Sequence, residues 1–266
     1  MTQKNLSPFL RALWELPDRK TVMGISVLLS LAFIACGTAF VPQHSRFAEL
    51  VFDRNSPHFL YPFTIQNFEH IIFFIGLGEL YLRWRIAVRE KAFQKMNLLP
   101  EDDATVLQAT DLGPIRKRVS KLFDHENGFL PSLIDLSILQ FQSGRSIDQA
   151  VAVMQSNLEL IQHRVDLRYG LVRYIAWFIP TLGFIGTVIG LGQSLAAVPK
   201  EGQLVMYDLA HKLSLGFDCT MIALIWSAIL VFLLSLVQEL EELAVNIAGS
   251  YTLRNLINRL YAGTVG

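Results

Sequence analysis

Charge is scarce in this chain. Lys, Arg, Asp and Glu make up 17% of its 266 residues, against about 25% in an ordinary soluble domain. The scarcity favours neither sign. With 23 basic and 23 acidic residues the formal net charge is zero, so no global field points to nucleic acid. Cysteine is nearly absent. Cys36 and Cys219 both stand in apolar stretches, which excludes a disulfide framework and leaves them as small buried hydrophobes. The six histidines (44, 58, 70, 125, 163, 211) include no pair at i, i+4, so no metal site is expected. A phosphate loop ending in GK[ST], a nucleophile elbow and an HExxH helix are all missing. The chain is therefore read as a non-enzyme without a cofactor. It has no internal repeat and no low-complexity tail.

What is abundant is apolar sequence: 52% of the residues are hydrophobic and the mean hydropathy is +0.38. Four runs come near the roughly 20 residues that cross a bilayer: 22–41, 63–83, 174–199 and 208–237. The second is the weakest, with Glu69 and Glu79 around an apolar heart at Ile71–Gly78. The first begins only after some twenty residues, and no small-residue cleavage site follows it, so it is expected to be a span rather than a cleaved signal. Basic residues cluster before the first run (Lys4, Arg11, Arg19, Lys20), after the second (Arg83, Arg85, Arg89, Lys91, Lys95) and before the third (Arg164, Arg168, Arg173). The positive-inside rule then puts both termini and the segment 86–170 in the cytoplasm. The expected fold is all-α: a polytopic membrane protein with four transmembrane helices and a helical cytoplasmic domain. Its parts are a cytoplasmic N-terminal segment 1–21, a first hairpin 22–83, a cytoplasmic domain 84–173, a second hairpin 174–237 and a cytoplasmic C-terminal helix 238–266.

The exported loop 42–62 mixes Pro42, Pro57 and Pro62 with Phe47, Phe52, Phe59 and Tyr61, and reads as an interfacial aromatic belt. In the cytoplasmic segment, Pro100, Gly113-Pro114, Asn127-Gly128 and Ser143-Gly144 read as punctuation. Ser146 and Gln149 have capping-box spacing. After them Ile147, Val151, Met154, Leu158, Ile161 and Val165 form a heptad-like seam. No proline or glycine intervenes before Gly170, so one helix is expected from Ser146 to about Val198, roughly 80 Å long at 1.5 Å per residue.

The third run carries a stripe of small residues: Gly183, Gly186, Thr187, Gly190 and Ser194. Their spacing is that of one helical face. The fourth has its own, Gly216, Thr220, Ala223 and Ser227. Small faces let helices approach closely, and hydroxyls on them need partners. A short connection makes these runs an antiparallel hairpin, with Thr187 and Thr220 equidistant from its midpoint and so at one depth. Two readings stay open: an ion path lined by hydroxyls, or close packing with hydroxyls bonded back to the i−4 carbonyl. Asp218 lies about 200° round the helix from Thr220, on the side of His211 and Leu215. It too has two readings, an ion-path carboxylate or a structural partner of another span or subunit. Glu79 and Arg83 read as a local i, i+4 pair, and Glu69 with His70 as rim residues at the outer end of the second run, a proton relay being the alternative.

The segment Ile179–Gly190, with Pro180, Gly183, Gly186, Thr187 and Gly190, resembles the P-L-L-G-L-x-G-T-V-x-G segment of the MotA/TolQ/ExbB ion-channel family. Phe217–Leu224, around Thr220 and Ala223, is similar to that family's second motif, and the likeness covers roughly 146–240. The four-span layout resembles the flagellar-stator branch. The resemblance implies a homopentamer in the bacterial inner membrane, around two copies of a single-span MotB/TolR/ExbD-like partner whose membrane aspartate carries the ion. It implies that Thr187 and Thr220 face the pore beside that aspartate, and that Pro180 is linked to gating. Cys219 stands where sodium-driven members tend to have a second threonine, which makes a proton the expected ion and sodium the alternative. Leu215 stands where the TolQ/ExbB branch often has a glutamate. Two rivals from other classes are a membrane scaffold, whose glycine faces only pack a bundle, and a transporter with its site at Asp218.

Overall fold

The computed structural model describes residues 16–54, 60–102, 104–124, 127–196 and 206–261, and of 206–209, 211, 212 and 215 the backbone alone. Helix follows helix: α1 (Arg19–Phe40), α2 (Arg46–Phe52), α3 (Ile65–Phe93), α4 (Ala109–Val119), α5 (Phe129–Gly144), α6 (Ile147–Arg168), α7 (Gly170–Ala196) and α8 (Met206–Asn255), with 3-10 turns at Gln94–Met96 and Ile257–Arg259. The described residues contain no strand, only an isolated parallel bridge between Leu107 and Leu260. The chain divides into two compact units. One is Pro17–Leu82 with Gly170–Ser235, and the other is built on Arg83–Tyr169 and Leu236–Gly266.

The first unit is packed inside out. On α1 the buried residues are Val22, Ser26, Ser30 and Ile34, while Ile25, Leu28, Leu29 and Leu31 are exposed. The buried serines satisfy themselves locally, Ser26 donating to the Val22 carbonyl and Ser30 to that of Val27. Small hydroxyl residues inward and large apolar residues outward is the pattern of helices that pack in lipid. Trp177, Phe184 and Phe232 repeat it on α7 and α8, each more than 60% exposed.

Among the described residues three stretches are long and apolar enough to cross a membrane: Arg19–Phe40, one within Ile147–Ala196 and one within Gly216–Arg259. The expected span 63–83 is not among them. It is helical throughout α3 from Ile65, but Gln66, Asn67, Glu69, His70 and Glu79 dilute its hydropathy. All five of those side chains are buried within the fold.

The aromatic loop is also more than a belt. Ser45 caps α2 by accepting the Ala48 N–H at 3.1 Å, and α2 packs Val51 and Phe52 against Ile222 of α8, with Phe33, Tyr61 and Trp226 around them. Phe47 is exposed, as the belt reading requires. Pro57 and Phe59 lie outside the described residues.

In the second unit α5 is the core element. Phe129, Leu130, Leu133, Ile134, Ile138 and Phe141 are all buried. Its N-terminus is held by Glu90, whose two carboxylate oxygens accept the N–H groups of Gly128 (2.8 Å) and Phe129 (2.7 Å). This is the acidic partner that orphan N–H groups at a helix start favour. The Asn127-Gly128 and Ser143-Gly144 punctuation marks the two ends of α5, Gly128 taking φ 87°. Gly113-Pro114 does not interrupt. Helix α4 runs through it, because the missing Pro114 N–H concerns only the Thr110 carbonyl in the first turn.

Ser146 caps α6, its hydroxyl accepting the Gln149 N–H at 3.3 Å. The reciprocal half of a capping box is not made, since the Gln149 side chain accepts from Gln140 instead. Of the expected seam, Met154, Ile161 and Val165 are buried and Ile147, Val151 and Leu158 half-buried. Ala150 joins them as a buried residue. The expected long helix is present as a continuous run over Ile147–Ala196, interrupted at one residue that stays in the right-handed helical region. Helix α6 ends at Arg168, Tyr169 caps it, and α7 begins at Gly170. The cause is visible at the joint. The Tyr169 hydroxyl donates to Glu241 at 2.8 Å inside the unit, and the residue after it is glycine, a poor helix former.

The expected separate C-terminal helix is the continuation of α8 to Asn255. Behind it Arg259 donates to the carbonyls of Pro100 (2.8 Å) and Glu101 (3.2 Å), tying the chain end to the 100–107 loop.

Candidate functional site in the α7–α8 hairpin

Every member of the α7 stripe is buried: Gly183, Gly186, Thr187, Gly190 and Ser194. The facing side of α8 is made by Gly216, Cys219 and Ala223, all buried, with Thr220 and Ser227 half-buried. The approach is close because the glycines make it so. A Cβ on Gly183 would sit 2.6 Å from the Ala223 Cβ and 2.9 Å from the Thr220 Cα. On the other side Gly216 faces the Cα atoms of Gly190 and Thr187. Ser194 donates back to the Gly190 carbonyl at 2.8 Å.

At the middle of this contact the two threonines meet. The Thr187 hydroxyl lies 2.8 Å from the Gly216 carbonyl on α8, and the Thr220 hydroxyl 2.7 Å from the Gly183 carbonyl on α7. Their hydroxyl oxygens also touch one another. Each helix thus donates into the other's backbone. Back-bonding of Thr187 to the i−4 carbonyl of Gly183 is the longer contact at 3.3 Å. The Cys219 thiol donates to the same Gly183 carbonyl at 3.2 Å, so that one oxygen receives donors from two side chains of α8. Two hydroxyl protons thus face four oxygen contacts here.

Pro180 stands inside α7. It has no N–H, so the carbonyl four residues earlier, at Ala176, loses its helical partner. Ser227 supplies the replacement, its hydroxyl donating to the Ala176 carbonyl at 2.7 Å. Such re-satisfaction by a neighbouring serine is what lets proline persist in helices away from water.

Asp218 is buried beside this hairpin and pairs with Arg46 at the start of α2. Arg46 Nη2 donates to Asp218 Oδ1 at 2.8 Å and to the Ser214 hydroxyl at 2.9 Å. Arg46 also lies 3.6 Å from Glu49. His211 and Leu215, on the same side of α8, have no described side chains.

Glu69 and His70 are not at a rim. Both are wholly buried. The His70 ring has Phe33, Phe52 and Trp226 edge-on around it. Trp226 Nε1–H donates to His70 Nδ1 at 2.9 Å, and an indole can only donate. Nδ1 is therefore unprotonated, and Nε2 carries the proton that goes to the Val51 carbonyl at 2.9 Å. With both nitrogens committed, His70 is a neutral fixed ring and the relay reading for it fails. Loop 42–54 folds over this end of α3, which is why the rim expectation failed. Glu79 likewise has a distant partner. Arg19 Nε donates to it at 3.1 Å, a contact that the i, i+4 rule could not supply.

Arg46, Cys219 and Trp226 were missed as site residues. Nothing local singles out Arg46, which shares the 42–62 segment with Arg54, Glu49 and Asp53. An apolar cavity of about 710 Å³ lies in the same unit, lined by Leu31, Ile34, Phe68, Ile71, Leu182 and Ile185 among others. Its lining offers an ion no charge. Among the described residues no cluster of His, Cys, Asp and Glu could hold a metal.

Residues 125–247 match the family model described as the MotA/TolQ/ExbB proton channel family. The match contains the whole hairpin contact from Ala176 to Ser227, while α1 to α4 precede it. No curated protein and no solved structure matches the chain.

Proposed function

We propose that this membrane protein, whose residues 125–247 match the model of the MotA/TolQ/ExbB proton channel family, is the ring-forming subunit of an ion-driven rotary motor in the bacterial inner membrane. Five copies surround two copies of a single-span partner of the MotB/TolR/ExbD type. The four spans are α1, the α3 segment to about residue 83, α7 and the α8 segment to about residue 237, with both termini in the cytoplasm. The observation that carries the reading is the threonine pair at the centre of a glycine-lined hairpin inside the family segment.

The ion, a proton with sodium as the alternative, occupies the partner's membrane aspartate at the Thr187/Thr220 level. Neutralising that charge lowers its cost in a low-dielectric surrounding. The ring then steps past the partner, and the ion leaves to the cytoplasm. Each ion crossing supplies about 2.3 kcal/mol per 100 mV. Thr220, half-buried in the isolated subunit, has surface left for such a contact. Pro180 makes a flexing point in α7, and Ser227 holds the carbonyl it frees.

A scaffold role is the second reading, and one observation favours it: both threonine hydroxyls are engaged within the hairpin itself. A transporter site at Asp218 has less support, since Arg46 already occupies that carboxylate. Native mass spectrometry of the gently extracted assembly tests the proposal. Five copies with two smaller partner chains are expected, and a monomer with no larger species contradicts it.

A further inference from the structure

Four glutamates are wholly or almost wholly buried among the described residues. Three have clear work. Glu79 takes Arg19, Glu90 takes two backbone N–H groups, and Glu241 takes Tyr169 and Arg168. The fourth, Glu69, has no hydrogen-bond partner for either carboxylate oxygen among the described residues. An ionised carboxylate buried this way costs several kcal/mol, and even a neutral acid forfeits its hydrogen bonds. A residue kept only for packing would be apolar here.

The depth of Glu69 follows from its helix. Ile65 of α3 lies beside Gly186 of α7, and eleven residues on, Gly76 lies beside Ile175. The two helices therefore run antiparallel in one register, which sets Glu69 level with Leu182 and Gly183. Gly183 is the residue whose carbonyl takes Thr220 and Cys219. The carboxyl of Glu69 is an electrostatic neighbour of the Cys219 thiol, together with those of Asp53 and Asp218. Around it, then, α3 offers the neutral His70, α8 offers Cys219 and the Arg46-paired Asp218, and the end of α2 offers Asp53. Helix α7 brings no charged group to this level, its one charge being Arg173 near the start.

Resting on the channel reading, we propose that Glu69 is a proton-binding carboxyl of this chain on the ion path, about one helical turn along α7 from the Thr187/Thr220 pair. It adds a proton-holding station on the ring subunit to the one on the partner. The step is a single protonation. A carboxylate takes a proton arriving from the outer side, becomes a neutral acid in the buried setting seen here, and releases it inward when the setting opens.

The test uses the whole assembly purified from its membrane and reconstituted in liposomes. Dicyclohexylcarbodiimide, an apolar reagent for protonated carboxyls, is applied and the modified residue is mapped by peptide mass spectrometry. Proton entry under an imposed potential is read with a trapped pH-sensitive dye. Glu69 should be modified, less so as the pH is raised, and proton entry should fall in proportion to the modification. Glu69→Gln should assemble to the same mass, escape modification and lose flux about tenfold or more, because an amide does not titrate. Glu69→Asp should keep part of it. An unmodified Glu69, or a modified assembly with full flux, overturns the proposal even if Glu69→Gln fails to assemble. Wild-type flux in an assembled Glu69→Gln overturns this proposal alone. A wild-type assembly that passes no protons overturns the channel reading and this inference with it.

Discussion

Replacing Ser227 by alanine should destabilise the hairpin, and the loss should depend on a residue forty-seven positions away. Ser227 donates to the Ala176 carbonyl at 2.7 Å, and that carbonyl is free because Pro180 has no N–H. Side-chain hydrogen bonds between membrane helices are worth about 0.6 kcal/mol on average and up to about 1.7. Leaving a buried carbonyl unpaired adds to this, on the order of 1–3 kcal/mol. Ser227→Ala should therefore cost about 2–4 kcal/mol. In a Pro180→Ala background the residue-180 N–H returns and bonds the Ala176 carbonyl within the helix. Ser227→Ala should there cost close to nothing beyond a small packing loss. The assay is a double-mutant cycle by reversible unfolding in mixed micelles, with stability as the readout. An equal cost of Ser227→Ala in both backgrounds would refute the link between the serine and the proline.

The Arg46–Asp218 pair predicts an order of effects. Arg46→Ala should harm assembly more than Asp218→Asn, because it leaves a buried carboxylate without its cation, and adding Asp218→Asn to Arg46→Ala should recover part of the loss; native mass spectrometry of the three variants reads this, and an Asp218→Asn worse than Arg46→Ala contradicts it. Burial pushes the Glu241 carboxyl above its ordinary 4.5, against the pull of Tyr169 and Arg168. A raised folded value means that its contribution is fully present below about 4.5 and is lost as the pH climbs through the raised value. Glu241→Gln should flatten that decline in a pH series of thermal unfolding, and an unchanged slope would assign the decline to other groups, Glu90 first. Ser146→Ala should cost about 1 kcal/mol through the loss of the α6 cap, read by thermal unfolding.

The hairpin was legible because its design is periodic. Gly183, Gly186, Thr187, Gly190 and Ser194 fall on one face by spacing alone, and the threonine pairing follows from equal rise on two antiparallel helices. The stop at Gly144 and the cap at Ser146 were legible because turn chemistry is local. What the sequence hid is long-range. Asp218 meets Arg46 across 172 positions, Glu79 meets Arg19 across 60, and Trp226 meets His70 across 156. A rule built on i, i+4 neighbours cannot see such partners. The same blindness put Glu69 and His70 at a rim, since nothing local says that the 42–54 loop folds over them. The interruption at Tyr169 was only half legible, because Gly170 is a local signal while the Glu241 partner of the Tyr169 hydroxyl lies 72 positions away.

The central claim is that the Thr187/Thr220 hairpin belongs to an ion path. Its most direct test is potential-driven proton entry into liposomes carrying the purified assembly, compared with Thr187→Val and Thr220→Val. Valine nearly keeps the volume and removes the hydroxyl. The account predicts proton entry in the wild type and its loss in each variant, with the assembly mass unchanged. A wild-type assembly that holds its gradient, or variants that conduct as well as the wild type, would contradict it.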